Sequence, residues 1–348
     1  MGHRASPLLQ ARPGEPVDRT PVWFMRQAGR YMAEYRAVRE QYTLLDICSR
    51  PELAAEVTLQ PVDRLGVDAA IIFADILLPL VPMGIDLAFA AGEGPVIRNP
   101  VRGPADIAAL RPLDPEEAMP ATLEAIRLVC RELDGKLPLI GFAGGPFTLA
   151  SYLIEGGSSR SYVRTKRLMY EQPATWDQLM DRLSDMTTRY LRAQVHAGAQ
   201  AVQLFDSWVG ALSPYDYRAR VLPFTRRIVA GLEPLDVPVI LFGTGTAGIL
   251  PLIAETGSQV IGLDWRIDLD TGWALAGDDR AIQGNLDPVA LFAPPDELER
   301  QVRAILDRAG NRPGHIFNLG HGILPDTPVD NVRRVVELVH ELSERGAA

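Results

Sequence analysis

The chain has 348 residues, 47% of them hydrophobic and 23% charged, with a formal net charge of −9. This is the composition of an ordinary globular protein able to bury a large core, and the acidic balance argues against general affinity for nucleic acid or an anionic membrane surface. No apolar run reaches the ~18 residues of a membrane-spanning helix, and Cys48 and Cys130 are too few and too unrelated in context for a disulfide framework, so a cytoplasmic home is the expectation.

Residues 1–20 carry no apolar core of signal-peptide length and are expected to form a flexible tail, leaving 21–348 as a single domain. Short apolar runs then recur at 22–25, 69–74, 138–143, 201–205, 237–242, 260–265, 281–286 and 315–319. Several are rich in Ile, Val and Phe without alternation, as strands buried on both faces should be. Between them lie stretches expected as helices: 51–65 with Pro near its start, 115–133 with acids in its first turn, 173–196 ending at Gly198, 214–232, 296–308, and a last one from about Pro328 towards the C-terminus. Residues 84–101, with Gly92 and Gly94 at their centre, read as a hairpin inserted after the second strand. Eight strands alternating with helices imply a single (β/α)8 TIM barrel. An open doubly wound sheet is the alternative, because strand count does not establish closure. A barrel places its site at the C-terminal strand ends, which here carry Arg26, Asp75, Gly144 and Gly145, Asp206 and Ser207, Gly243, Asp264, Asn285 and His321.

The stretch 23–39, WFMRQAGRYMAEYRAVR, holds Arg26, Arg30, Arg36 and Arg39, no lysine, and Glu34 as its single acid. On a helix Arg26 and Arg30 would stack at i,i+4 and repel, and Gly29 between them argues for a loop. Two guanidinium groups held together in an acidic protein suit a carboxylate or phosphate; for Arg36 and Arg39 the plainer alternative is a solvated charged helix. Asp75, among Phe73, Ile76 and Leu77, must find donors or a cation or shift its pKa; as a structural residue it would be an N-cap or half of a salt bridge. Asp206 is read as scaffold and Ser207 as the group pointing into the pocket. His321 projects between Gly320 and Gly322, which let the backbone pass close to a ligand, whereas His196 and His340 read as structural. The glycine-rich segment 141–157, containing Tyr152, is a weak candidate for a phosphate cradle at a helix N-terminus. No HExxH, CxxC, His-x-Cys or Walker pattern occurs. Arginines, an aspartate, hydroxyls and a histidine around one pocket suit a polyanionic organic substrate and cofactor-free acid–base chemistry.

The segments PVWFMRQAGRYMAEYR, IIFADIL, GGPFTLASYLIEGG, QLFDSW, GLDW, QGNLDP and NLGHGILPDTP, in this order from about Thr20 to the C-terminal helix, together resemble the uroporphyrinogen decarboxylase family. The resemblance implies a (β/α)8 barrel, usually a homodimer, that removes CO2 from the four acetate side chains of uroporphyrinogen III to give coproporphyrinogen III in haem synthesis, with no metal or organic cofactor. It further implies that Arg26, Gln27, Ala28, Gly29 and Arg30 form the loop that binds substrate carboxylates, and that Asp75 lies under the macrocycle and faces its pyrrole NH groups. Tyr152, Ser207 and His321 match the remaining substrate-contacting positions. Asp75, Arg26 and His321 are the catalytic candidates. The proton donor stays open, because Arg26 opposes proton loss by its high pKa while His321 has the better intrinsic pKa for acid work. Two other readings compete: a corrinoid-linked methyltransferase on the same barrel, in which zinc would activate a thiol, and a non-enzymatic tetrapyrrole carrier, which would keep the Arg loop but have no need of Asp75.

Overall fold

The computed structural model describes residues 7–10, 17–90 and 94–345. Seven parallel strands run in the order β1 (Ala70–Ile71), β4 (Leu139–Gly144), β5 (Ala201–Phe205), β6 (Val239–Phe242), β7 (Val260–Gly262), β8 (Ala281–Gln283) and β9 (His315–Ile316). Each coincides with an apolar run, and β4 is buried along its whole length. Such strands have no polar face to offer water, so helices must cover them. Pro120–Leu133, Pro173–Ala197, Leu222–Leu232, Leu250–Ala254, Leu269–Ala276, Pro295–Ala309 and Val329–Ser343 follow the staves in turn.

The curled sheet is completed by residues 21–23, which stand between its two edges. On one side Val22 bridges Phe317 in parallel, with the Phe317 N–H donating to Pro21 O at 2.8 Å. On the other, Asp68 N–H donates to Val22 O at 2.8 Å. Pro21 has no N–H to give a regular ladder, and side chains supply what is missing: Asp68 Oδ2 accepts from Val22 N at 2.9 Å and Asn318 Oδ1 from Met25 N at 3.1 Å. This first stave ends where the Arg loop begins. Inside the barrel a chain of buried polar groups links three staves: Trp23 Nε1 donates to Gln283 Oε1, and Gln283 Nε2 donates to Gln203 Oε1, each at 3.0 Å.

Two expected helices are broken. The stretch 115–133 divides into Pro115–Ala118 and Pro120–Leu133 at Met119, which precedes a proline and leaves the helical region (φ −127°, ψ 36°). The stretch 214–232 divides at Val221 into Pro214–Arg220 and Leu222–Leu232, because Pro223 lacks the N–H that would continue the ladder. Within 84–101, β2 (Leu87–Ala90) and β3 (Gly94–Ile97) pair antiparallel; residues 91–93, Gly92 among them, lie outside the described residues. Part of the segment expected to be a flexible tail is packed. Pro7–Gln10 forms a helical turn whose Leu8 is buried, and Leu8 and Leu9 line a cavity of about 230 Å³ at the N-terminal ends of β6–β8. Open barrel ends expose apolar strand residues, and a leucine against that end shields them from water.

Candidate active site

The Arg loop is built by a tight turn in which Gln27 N–H donates to Phe24 O at 3.1 Å. Arg26 sits in it with φ +60°, a left-handed conformation that a non-glycine residue adopts only under constraint. Gln27 supplies the constraint: its fully buried amide accepts from Phe24 N at 3.1 Å and donates to Ala69 O at 3.0 Å, tying the turn to β1. Tyr31 Oη donates to Gln27 O at 2.6 Å. Gly29 comes close to the loop itself, since a Cβ there would lie 3.1 Å from Arg26 O. Ala28 packs half-buried against the core. Arg26 and Arg30 are exposed, while Arg36, on the helix Ala33–Gln41, donates to the carbonyls of Arg30 and Tyr31 at 2.9 Å each. Arg36 therefore braces the loop, a role its place on a charged helix did not signal.

Asp75 is half-buried just beyond β1 and its carboxylate accepts one hydrogen bond, from Leu77 N at 2.8 Å. Burial pushes its pKa up, against that bond and the charge of Arg26. No ion pair to Asp75 occurs among the described residues, so the structural alternative of a salt bridge fails. The Tyr152 phenol is pushed up to about 12 by burial and by Asp75, against Arg26, and stays a neutral donor. Its ring stacks on Trp208 with centroids 4.0 Å apart.

Asp206 behaves as scaffold. Its Oδ1 accepts from Thr148 N and Oγ1 at 2.8 Å each, at the first turn of the helix Pro146–Glu155, and burial raises its pKa to about 6. A carboxylate thus occupies the helix N-terminus considered for a phosphate, and Gly145 is required there because a Cβ would lie 2.5 Å from Asp206 Cγ. Thr148 Oγ1 in turn accepts from Trp208 N at 3.1 Å. One aspartate so fixes both the helix carrying Tyr152 and the turn carrying Ser207. Thr244 Oγ1 donates to Ser207 O at 2.6 Å, and the Ser207 hydroxyl has no hydrogen-bond partner among the described residues.

His321 closes the ring of groups. Its Nδ1 accepts from Gly322 N at 2.6 Å, which places the proton on Nε2, and its ring meets the Phe242 edge at 6.1 Å. Burial, then Arg26 and Arg266, lower its pKa to about 4. The imidazole is neutral at pH 7, so its ordinary pKa, which favoured it as an acid, does not apply in this setting. The flanking glycines admit protein rather than open a path for ligand: a Cβ on Gly322 would lie 2.6 Å from Arg26 Cγ, and one on Gly320 2.9 Å from the Asp264 carbonyl carbon. Arg26 acts electrostatically on Asp75, Tyr152 and His321 alike, so these four side chains lie near one another at the C-terminal strand ends. Arg30 lies further out, its charge felt at Tyr35. His340 is structural, bonded to Asp68 at 2.8 Å.

The thiols do not suit a zinc-activated reaction. Burial pushes Cys48 up to about 12 and raises Cys130, and no group of three His, Cys, Asp or Glu positioned for a metal occurs among the described residues. Among these residues no helix is long and apolar enough to cross a membrane.

The family described as uroporphyrinogen decarboxylase (URO-D) matches residues 3–342. A uroporphyrinogen decarboxylase of Sorangium cellulosum is 61% identical over 335 residues, 96% of each chain. One of Carboxydothermus hydrogenoformans is 58% identical over 336 residues, covering 97% of this chain and 96% of the relative. Among solved structures, a methyltransferase from Methanosarcina mazei superposes with a TM-score of 0.78 at 22% identity, over 97% of this chain and 98% of its own, a likeness of fold.

Proposed function

The chain belongs to the uroporphyrinogen decarboxylase family, and from that premise we propose that it removes CO2 from the four acetate side chains of uroporphyrinogen III, giving coproporphyrinogen III in tetrapyrrole synthesis. The enzyme is a carboxy-lyase. The observation that carries the residue roles is Asp75, a carboxylate in apolar surroundings with one hydrogen bond and a raised pKa. Burial of an anion without a partner is unfavourable unless a cation arrives.

Loss of CO2 leaves an electron pair on carbon, and the pyrrole can accept it once a proton has been added to a ring carbon. The ring is then cationic; the carbon–carboxylate bond breaks, its electrons neutralise the ring and CO2 departs. A second proton then converts the exocyclic methylene to methyl, and loss of the proton first added to the ring carbon restores the pyrrole, so that one proton is consumed for each CO2. Asp75, facing the pyrrole NH groups, stabilises the cation, and the interaction is stronger in the low-dielectric pocket than in water. Arg26 and Arg30, with the backbone of Ala28 and Gly29, hold substrate carboxylates, and Gln27, whose N–H and C=O are bonded within the protein, contributes by holding the loop in shape. Tyr152, Ser207 and His321 supply neutral donors, His321 through Nε2–H. At pH 7 about one imidazole in a thousand would be protonated, given a pKa of about 4, so His321 orients substrate rather than storing the proton. This reading employs no cofactor, since the protonated ring is itself the electron sink.

A cytoplasmic homodimer completes the proposal. Exposed Val163, Tyr215, Val289 and Leu324 all lie on segments beyond the C-terminal strand ends, where a second copy would cover them. The primary test is anaerobic incubation with uroporphyrinogen III without added metal, followed by chromatography of the oxidised products. Stepwise loss from eight carboxylates to four is expected. Tight binding without conversion, equal in the parent and Asp75→Ala, would indicate a carrier instead.

A further inference from the structure

Beyond β7 the chain turns outward through Asp264, Trp265 and Arg266, none of which the reaction above employs. Asp264 is buried, and its Oδ2 accepts from Gly245 N at 2.7 Å and pairs with Arg266 Nη1. The Arg266 N–H donates to Asp264 Oδ1 at 3.3 Å, and the guanidinium carbon lies 4.0 Å from the centroid of the Trp265 ring. Ion pairing and stacking thus fix the guanidinium on two sides, while about half of the side chain remains open to solvent. A guanidinium has five N–H donors, and the carboxylate of Asp264 leaves several of them unused.

The position relative to the site follows from the two glycines around His321. Gly322 lies against the stem of Arg26; Gly320 lies against the Asp264–Trp265 peptide, with a would-be Cβ 3.0 Å from Trp265 Cε3. The imidazole therefore stands between two arginine-bearing segments, and both cations act on it. Resting on the proposed function, we propose that Arg266 is a second carboxylate anchor, gripping a side-chain carboxylate of the macrocycle across His321 from Arg26. An octa-acid spreads its charges around its rim, so arginines on one side alone leave it free to pivot. A preset guanidinium on the other side stops the pivot without ordering a long side chain at the moment of binding.

The test is steady-state kinetics on the full chain with uroporphyrinogen III under anaerobic conditions. Arg266→Gln is expected to raise KM about tenfold, the effect of one charge-assisted pair, with kcat changed less than about threefold. Arg266→Lys is expected to recover part of the loss. Because Arg266→Gln leaves the buried Asp264 carboxylate without its cation, Asp264→Asn/Arg266→Gln is measured beside it and should show the same rise in KM. A KM within twofold of the parent in the double variant, with Arg26→Ala still raising KM, overturns the anchor and leaves the proposed function standing. A fall in kcat without a rise in KM also overturns it. Unmoved KM in both Arg266 and Arg26 variants overturns the anchor and the carboxylate site together.

Discussion

Gly322→Ala probes the site without touching a charge. Gly322 has no positive φ, so alanine meets no backbone penalty there. Its Cβ would lie 2.6 Å from Arg26 Cγ and 3.1 Å from Arg26 Cβ. Ordinary contact begins at about 3.4 Å, so the stem of Arg26 must retreat by about 1 Å. It cannot do so by a far-end rotation, because the clash reaches its Cβ and the residue is pinned at φ +60° by the buried Gln27 amide. Misplacing a positioning group by 1 Å costs about 100-fold in rate, while overpacking costs about 1–3 kcal/mol in stability. We expect kcat/KM for uroporphyrinogen III to fall about tenfold, a loss bounded by that of removing Arg26 itself, with cooperative unfolding retained in a thermal melt. The effect should be conditional: in an Arg26→Ala background the added methyl has nothing to displace, and the second substitution should change kcat/KM less than about threefold. Parental activity in Gly322→Ala, or an equal loss in both backgrounds, would refute the reasoning.

Arg26→Ala and Arg30→Ala should each raise KM about tenfold or more by removing charge-assisted pairs, and an unchanged KM in both would remove the carboxylate clamp. Asp75→Ala should abolish turnover while porphyrinogen binding, followed by fluorescence quenching, survives in part; near-parental turnover would contradict the proposed electrostatic role. Because burial raises the Asp75 pKa, kcat/KM should fall as pH is lowered through a range above that of a free aspartate, and a profile flat down to about pH 4 would contradict this. Asp206, buried with a pKa of about 6 against 3.8 for the ordinary group, lowers stability by about 3 kcal/mol once fully ionised. That stability is present below pH 3.8 and is lost as pH rises through about 6. Asp206→Asn should flatten this part of the denaturation profile, whereas Asp206→Ala strands the Thr148 donors and should lose about 2–4 kcal/mol; equal stabilities would refute the scaffold role of Asp206.

Much of the barrel was legible because buried parallel strands must be mostly apolar, and the sequence shows such runs at every stave. The first stave was legible as a run but not as a pairing, since Asp68 and Asn318 complete its hydrogen bonds from distant positions. The broken helices turned on Met119–Pro120 and Pro223, local signals outweighed in reading by long amphipathic patterns. Residue types drew attention to Arg26, Asp75 and His321, but not to the burial that shifts Asp75 and His321. The intrinsic pKa of histidine suggested an acid, whereas burial between two arginines makes a neutral donor. The glycines beside His321 carry the sharper lesson. A Gly-His-Gly sequence states that something must come close, and a ligand was the natural reading. The close neighbours are the stem of Arg26 and the Asp264–Trp265 peptide, so these glycines admit the two arginine-bearing segments that bury and flank the imidazole. The local shape of this strand end is therefore written in absent side chains as much as in present ones.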